Sequence, residues 1–280
     1  MDRKVDLNLV MQLNEIFEEK DWNKQEEKKY VYESLCSISE HLDDNQDEKE
    51  LFIDLIKRYQ WMSYNDYSSI ITQLLENILV KSKLNISKCY VFPILKPEDS
   101  RKNKSGKSIS YMMKCKKPFI RDAKDIKLEE ISLFDELKNL NLKENEYLIL
   151  ADDYIGSGET LFACIKEINN INENLISKII IATIALQNDT VEKLSSYKLF
   201  YGLSVSKGIS DYYHGSEIIN RNINTMLQLE KKLISGKMFS LGYEGSEGLI
   251  TMLRTPDNTF PIFWHKYKKN IDLTPPFPRE

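Results

Sequence analysis

Apolar residues recur at helical spacing through the first third of the chain. Leu9, Leu13, Ile16 and Phe17 lie three or four residues apart, with acidic residues and lysines between them. This spacing predicts an amphipathic helix. Similar patterns predict further helices over 51–61 and 67–80, and no Gly or Pro occurs before Pro93. We therefore predict an all-helical N-terminal extension over residues 1–83.

Beyond Leu84 the pattern changes to short apolar runs that alternate with helical periodicity. The runs predict strands over 89–95, 110–114, 147–151, 178–186 and 199–205. Helical spacing predicts helices over 125–140, 161–168, 190–195 and 218–234. Strands that alternate with helices are typical of an α/β fold with a doubly wound parallel sheet. We place this domain at residues 84–265 and treat 266–280 as a tail.

One stretch combines a strand, two carboxylates and a small-residue loop. The apolar run 147–151 leads into Asp152 and Asp153, and the loop that follows contains Gly156, Ser157, Gly158, Glu159 and Thr160. Backbone N–H groups of such a loop at a helix N-terminus form a site for a phosphate. Carboxylates at the carboxyl end of a strand can accept hydrogen bonds from the hydroxyl groups of a sugar. The stretch therefore predicts a site that holds both ends of a sugar phosphate.

A basic segment over 96–108 lies between two of the predicted strands. It carries five cationic side chains, and Gly106-Lys107-Ser108 suggests a P-loop. A P-loop needs a Gly where Arg101 stands and a helix after the motif, which the pattern does not indicate, so we exclude one. Two interpretations stay open: a solvated turn, or a flap that closes over a polyphosphate.

Composition and charge narrow the class of protein. Of 280 residues, 41% are hydrophobic and 29% charged, as in ordinary globular proteins, and the net charge of −4 gives no global attraction for nucleic acid.

The four cysteines are scattered without Cys-x-x-Cys pairs, so we expect buried free thiols rather than a zinc site or disulfides. No apolar leader or membrane-length run occurs, so we expect a cytoplasmic protein with no membrane contact.

The stretch 148–160 resembles the PRPP-binding motif of type I phosphoribosyltransferases. Asp152, Asp153, Ser157, Gly158 and Thr160 fall on the pattern of an acidic pair followed by a small-residue loop that ends in Thr. The resemblance implies that the acidic pair binds the ribose hydroxyls and that the loop over 156–160 binds the 5′-phosphate. It also implies Mg²⁺, bound with the pyrophosphate and only indirectly by Asp152 and Asp153.

The resemblance assigns weaker roles elsewhere. Within the basic segment, the loop 101–108 would take the place of the family's pyrophosphate-binding and flexible loops, with Lys104 and Lys107 on the pyrophosphate side and Arg101, Ser105 and Gly106 beside them. Arg254, with Asn258, would line a base pocket or form a structural turn. His214 would be a base-side residue or polar surface.

Two positions depart from the family pattern. Gly156 stands where enzymes that accept hypoxanthine or guanine carry an Asp, which argues against that subclass. Glu159 puts a negative charge beside the expected phosphate loop. Its side chain either turns outwards, or the bound group is not a complete PRPP.

The ends of the chain resemble a divergent group of phosphoribosyltransferase-like proteins from bacterial conflict and anti-phage systems, including retron-linked ones. The helical extension and the C-terminal segment 241–264 carry this likeness. It implies a toxic transferase. It also implies that the N-terminal helices bind either a reverse transcriptase/msDNA partner or a second copy of the chain. A non-catalytic sensor of PRPP or a nucleotide is the second hypothesis. A receiver-like acidic pair in some other α/β domain is the third.

Overall fold

The computed structural model of the protein describes residues 7–42, 46–102, 104–236 and 238–279. Packing contacts divide the chain into two compact units. The first unit joins residues 1–63 to residues 205–280, and the second comprises residues 64–204. The predicted boundaries at residues 83 and 265 do not coincide with this division, because the fourth helix packs with the sheet and the C-terminal residues pack with the first three helices.

The described part of the chain forms helices and strands along most of its length. In chain order they are α1 (Leu7–Glu19), α2 (Lys28–Ser39), α3 (Gln46–Arg58), β1 (Gln60–Trp61), α4 (Tyr64–Glu76), β2 (Lys88–Pro93), α5 (Ser105–Lys116), β3 (Lys127–Glu130), α6 (Phe134–Leu137), β4 (Glu146–Ile155), α7 (Glu159–Ile171), β5 (Ile179–Gln187), α8 (Asn188–Lys193), β6 (Lys198–Val205), α9 (Ser216–Leu233) and β7 (Ile250–Thr251). A π-helical turn over Asn77–Lys81 follows α4, and several 3₁₀ turns lie between the other elements. None of the described helices has the length and apolar character needed to cross a bilayer.

The second unit is an α/β domain built on a five-stranded sheet. The strand order is β3-β2-β4-β5-β6, and the pairs β2–β3, β2–β4 and β4–β5 are parallel. Every residue of β5 is buried, which explains why its sequence is a continuous apolar run. The predicted α/β fold class is therefore confirmed, with helices at the N-terminus as expected.

Helices α1, α2, α3 and α9 form the apolar core of the first unit together with the C-terminal segment. Phe263 and Phe277 are buried there, and the ring of Phe277 stacks on Tyr59 with centroids 4.8 Å apart. Phe277 N–H donates to the Phe263 carbonyl at 2.9 Å, and the Thr255 hydroxyl donates to the Phe277 carbonyl at 2.9 Å. Residues 266–279 are thus packed against the unit, and the prediction of a plain tail was wrong for them.

Three predictions of local structure were wrong. Residues 110–114 lie in helix α5, not in a strand, because Ile109 and Met113 face inwards at helical spacing. Residues 125–140 do not form one helix: 127–130 pair with β2 as a strand, and only 134–137 are helical. The extension is not helical throughout, since 60–61 pair with 250–251.

Candidate active site

The acidic pair lies within the last residues of β4, at its carboxyl end. The strand continues to Ile155, so Asp152 and Asp153 belong to the strand rather than to the loop after it. Asp153 is 7% exposed and Asp152 is half-buried. A parallel sheet presents its ligand crevice at this end of its strands, which is where both carboxylates stand.

Each carboxylate is held by a hydroxyl group from a different helix. Ser105 at the start of α5 donates to Asp152 Oδ1 at 2.7 Å, and the Asp153 backbone N–H donates to the same oxygen at 2.9 Å. Tyr67 of α4, buried to 1% exposure, donates its hydroxyl to Asp153 Oδ2 at 3.0 Å. The pair is therefore fixed in orientation before any ligand arrives.

Burial raises the pKa of Asp152 well above its usual range, and the neighbouring charge of Asp153 raises it further. The hydrogen bond from Ser105 acts in the opposite direction. Two adjacent carboxylates that are removed from water repel each other, and a partner with positive charge or several hydroxyl groups relieves that repulsion. The site is therefore predisposed to bind a hydrogen-bond donor or a cation.

The loop after β4 is closed by contacts that fix its backbone. Gly158 has φ +86°, a left-handed conformation, and a β-carbon there would lie 2.9 Å from the Phe162 ring. Thr190 of α8 donates to the Gly156 carbonyl at 2.5 Å. Phe162 N–H donates to the Gly158 carbonyl at 2.9 Å and starts α7. The Glu159 N–H donates to the Ser157 hydroxyl at 3.4 Å. The first-turn N–H groups of a helix have no partner within the helix, so the start of α7 can offer donors to an anion.

Glu159 forms an ion pair beside this loop. Its carboxylate lies 2.5 Å from Lys96 Nζ, and both side chains are partly exposed. The charge of Glu159 is thereby directed towards a cation and offset by it. The unfavourable effect expected from an acidic residue at the phosphate loop is reduced accordingly.

Helix α5 brings the basic segment to the pair, with a close approach at Gly106. A β-carbon at Gly106 would lie 2.8 Å from the carbonyl oxygen of Ala151, so only glycine lets the helix start this near to β4.

One of the two reasons for excluding a P-loop was wrong. Gly106-Lys107-Ser108 does lie at the start of a helix, α5, although the sequence pattern did not indicate one. Arg101 still occupies the position where the motif needs a glycine.

The predicted pyrophosphate-side lysines are already engaged. Lys104 Nζ lies 2.9 Å from Asp99, and Lys107 Nζ donates to the Ser100 carbonyl at 2.7 Å. Hydrogen bonds from Lys102 and then Lys104 lower the pKa of Asp99. Arg101 is exposed in the same turn. Both lysines therefore make their contacts with residues of the same basic segment.

The structure gathers most of the predicted residues and leaves some outside. Ser105, Gly106, Asp152, Asp153 and the loop 156–160 lie in the second unit and are linked by the contacts above. Arg254, Asn258 and His214 belong to the first unit, and the side chains of Arg254 and His214 are exposed. Their predicted roles at a base pocket stay predictions.

Sequence reasoning missed two residues of the site. Tyr67 only begins the predicted helix over 67–80, and Thr190 only begins the predicted helix over 190–195. Tyr67 lies 86 residues from its partner Asp153, and Thr190 lies 34 residues from Gly156. No local pattern signals contacts over such separations.

The four cysteines differ in how deeply they are buried. All four cysteines are free, and burial raises the pKa of the Cys89 and Cys164 thiols to about 12. Cys115 is exposed, so the expectation of buried thiols was wrong for this one. Across the described ranges, no three His, Cys, Asp or Glu side chains converge to cage a metal ion.

Comparison with known families gives an assignment for most of the chain. A family model described as PRTase-CE matches residues 20–279. The chain belongs to the PRTase-CE family. This membership and the sheet described above support a phosphoribosyltransferase-like domain. A search of curated proteins gave no match.

Solved phosphoribosyltransferases resemble parts of this PRTase-CE chain at 11% identity. The hypoxanthine-guanine enzyme of Schistosoma mansoni, in complex with IMP, matches over 51% of this chain and 65% of its own, with a TM-score of 0.32. The xanthine-guanine-hypoxanthine enzyme of Helicobacter pylori matches over 52% and 84%, with a TM-score of 0.30. The Giardia lamblia APRTase complexed with 9-deazaadenine matches over 49% and 78%, with a TM-score of 0.28. These matches do not indicate which substrate this chain uses.

Proposed function

We propose that this PRTase-CE protein is a transferase that acts at the anomeric carbon of PRPP or a related ribose phosphate. The observation that carries the proposal is the arrangement at the end of β4, where two fixed carboxylates are followed by a loop that presents N–H groups. The carboxylates would accept hydrogen bonds from the 2- and 3-hydroxyl groups of a ribose, and the loop 156–160 would hold its 5′-phosphate.

The proposed chemistry rests on charge and position rather than on a general base. As the bond between the anomeric carbon and pyrophosphate breaks, positive charge develops on the ribose ring. The negative charge of the acidic pair lies close to the bound ribose and stabilises that charge. Lys104 and Lys107 would turn from Asp99 and Ser100 to the leaving pyrophosphate.

Mg²⁺ fits this site only as an ion shared with substrate. The described side chains offer two adjacent carboxylates and no third metal-binding group. Mg²⁺ in proteins commonly binds one or two carboxylates and takes its other oxygen ligands from phosphates and water. When bound, the ion would neutralise charge on the pyrophosphate, with Asp152 and Asp153 contributing at most a part of its coordination.

A sensor that binds ribose phosphate without turnover is the second candidate. It is favoured by the engagement of Lys104 with Asp99 and of Lys107 with Ser100, which leaves the pyrophosphate side closed on itself. In either case we propose that the protein acts in the cytoplasm as part of a bacterial anti-phage system. If it is a transferase, it would be the toxic effector of that system. A nucleoprotein such as a reverse transcriptase/msDNA complex, or a second copy of this chain, would bind the N-terminal helices.

Release of pyrophosphate separates the two candidates. The full-length protein is incubated with PRPP, Mg²⁺ and one acceptor class at a time: free bases, nucleotides, amines, RNA and protein. The transferase predicts pyrophosphate and a phosphoribosylated product that the Asp152→Asn, Asp153→Asn double variant does not form. Bound PRPP with no pyrophosphate released for any acceptor contradicts a transferase and supports the sensor.

A further inference from the structure

A basic and aromatic surface extends from the exposed side of α5 through the turns that follow it. We call Tyr111, Lys114, Phe119, Arg121 and Lys124 the α5 surface. Tyr111 is 62% exposed and Phe119 is 76% exposed, which is unusual for aromatic rings in a folded chain. Between residues 114 and 124 the sequence has five cations and one carboxylate, Asp122, although the whole chain carries a net charge of −4. This surface therefore differs in charge from the protein as a whole.

Packing and ion pairing within the protein do not account for these side chains. The face of α5 that packs inwards consists of Gly106, Ile109, Ser110 and Met113, on the other side of the helix. In the ranges that the structure describes, no salt bridge involves Lys114, Arg121 or Lys124.

Contacts around this surface are few, and they leave its positive charge in place. The ammonium group of Lys117 donates to the Lys124 carbonyl at 3.1 Å, which fixes the turn that carries Phe119. The carboxylates of Asp122, Asp125 and Glu130 are the acidic neighbours in sequence and on β3, and they do not form ion pairs with the surface among the described residues.

Exposed cations combined with exposed aromatic rings suit one chemical class of ligand. Single-stranded nucleic acid presents a phosphate backbone that binds cations and unstacked bases that stack on aromatic side chains. A duplex would use the cations but would keep its bases stacked away from Phe119. We infer that the α5 surface binds single-stranded RNA or DNA.

The α5 surface begins on the same helix that contacts the ribose-phosphate site. Ser105 at the first turn of α5 contacts Asp152, and a helix of 12 residues is about 18 Å long. An oligonucleotide on the α5 surface therefore reaches the ribose-phosphate site with a few nucleotides. Nucleic acid is then the acceptor class, and this consequence, unlike the binding itself, rests on the proposed function.

Binding is measured without PRPP, so that turnover does not enter. The full-length protein is titrated into a fluorescein-labelled, mixed-sequence single strand of 20 nucleotides, as RNA and as DNA, and fluorescence anisotropy is followed from 50 to 200 mM salt. The patch variant carries Lys114→Gln, Arg121→Gln and Lys124→Gln. The control carries Lys143→Gln, Lys166→Gln and Lys193→Gln, which are exposed lysines of the same unit. Phe119→Ala tests stacking.

We expect affinity to fall by about tenfold in Phe119→Ala. In the patch variant the slope of log K against log salt should become shallower by about 2, because three cations are removed and each phosphate contact contributes about 0.7 to the slope. The control and the Asp152→Asn, Asp153→Asn variant should bind as wild type does, so a failed transfer reaction would leave this result intact. Absence of binding at 50 mM salt, equal losses in patch and control variants, or an unchanged Phe119→Ala would overturn the inference. So would patch-dependent binding to phosphatidylserine vesicles without binding to the oligonucleotides.

Discussion

Buried carboxylates in the two units are satisfied in different ways. In the first unit, Glu247 is 3% exposed and accepts the backbone N–H groups of Ile209 and Ser210, each at 2.8 Å. Glu230 is 4% exposed and accepts from the Ser240 hydroxyl at 2.6 Å and from Leu241 N–H at 3.0 Å. Each of these acids ties two chain segments together. In the second unit, Asp152 and Asp153 sit side by side at a strand end, where each repels the other.

The difference shows that burial of an acid does not by itself mark a functional site. Burial raises the pKa of Glu230 to about 7, yet its partners are a hydroxyl and a backbone group of its own fold. The motif over 241–248, part of the resemblance to conflict-system proteins, is likewise occupied with internal bonds: Glu247 N–H donates to Leu241 and Gly248 N–H to Asn258. The pair on β4 also accepts from hydroxyl groups and a backbone N–H of its own fold, but it differs because its two carboxylates are adjacent and their like charges repel.

The largest effect is expected from Asp152→Asn, which removes one of the two charges and keeps the acceptor for Ser105. Pyrophosphate release should fall by about 10²- to 10³-fold, because stabilisation of the developing positive charge is lost.

The melting temperature of the same Asp152→Asn variant should rise, by about 2–4 °C for each kcal/mol gained in the free energy of unfolding. Because the folded pKa of Asp152 is raised, wild-type stability falls as pH rises from the usual carboxyl range through the raised pKa, so the gain should grow with pH. Calorimetric melting from pH 4 to 8 checks this, and a lowered melting temperature at pH 8 would contradict it.

Glu230→Gln should change stability and leave ligand binding as it is. With a folded pKa of about 7 and an ordinary value of 4.5, this group makes wild-type stability fall by about 3 kcal/mol between pH 4.5 and 7. Gln keeps an acceptor for Ser240 and Leu241 and has no charge to lose. Urea unfolding at pH 5 and pH 8 should show the smaller pH dependence in the variant. Weaker PRPP binding in this variant would remove the distinction between the two kinds of acid.

Gly158→Ala should weaken binding of the phosphate by about 2 kcal/mol. The left-handed backbone costs a non-glycine residue about 1–2 kcal/mol, and the new β-carbon would press on Phe162. Gly215, in the first unit, is a control with φ +91° and nothing within 4 Å of its β-carbon position. Gly215→Ala should lower stability and leave PRPP affinity unchanged, as calorimetry would show.

Tyr67→Phe tests the hydrogen bond that orients Asp153 and should have the smallest effect. Loss of one buried hydrogen bond to a charged group costs about 1.5–3 kcal/mol, and solvent or ligand can replace part of it. Pyrophosphate release should drop about tenfold at saturating PRPP, because Asp153 is no longer held in orientation by the Tyr67 hydroxyl. A variant with the wild-type rate would show that Tyr67 only fills space.

Strands that are buried on both faces could be predicted from the sequence, and elements defined by their neighbours could not. The runs at 147–151 and 178–186 gave β4 and β5 because apolar residues fill both faces there. Strand β3 is Lys-Leu-Glu-Glu at the sheet edge, and only its pairing with β2 makes it a strand. Helix α5 was mistaken for a strand because its apolar stripe is short and interrupted by Gly and Ser.

The candidate site follows the same rule. Asp152, Asp153 and the Gly-containing loop could be found because strand, acids and loop are contiguous in sequence. The Ser105 and Tyr67 contacts could not, since they depend on where α5 and α4 pack against β4.

Calorimetric titration of PRPP in the presence of Mg²⁺ tests the ribose-phosphate site most directly. Wild type and the Glu230→Gln variant should bind with the same affinity and a stoichiometry of one per chain. The Asp152→Asn, Asp153→Asn double variant should stay folded, as circular dichroism would check, and should show no measurable heat of binding. Equal binding of PRPP by the double variant and wild type would contradict the assignment of this site to the end of β4.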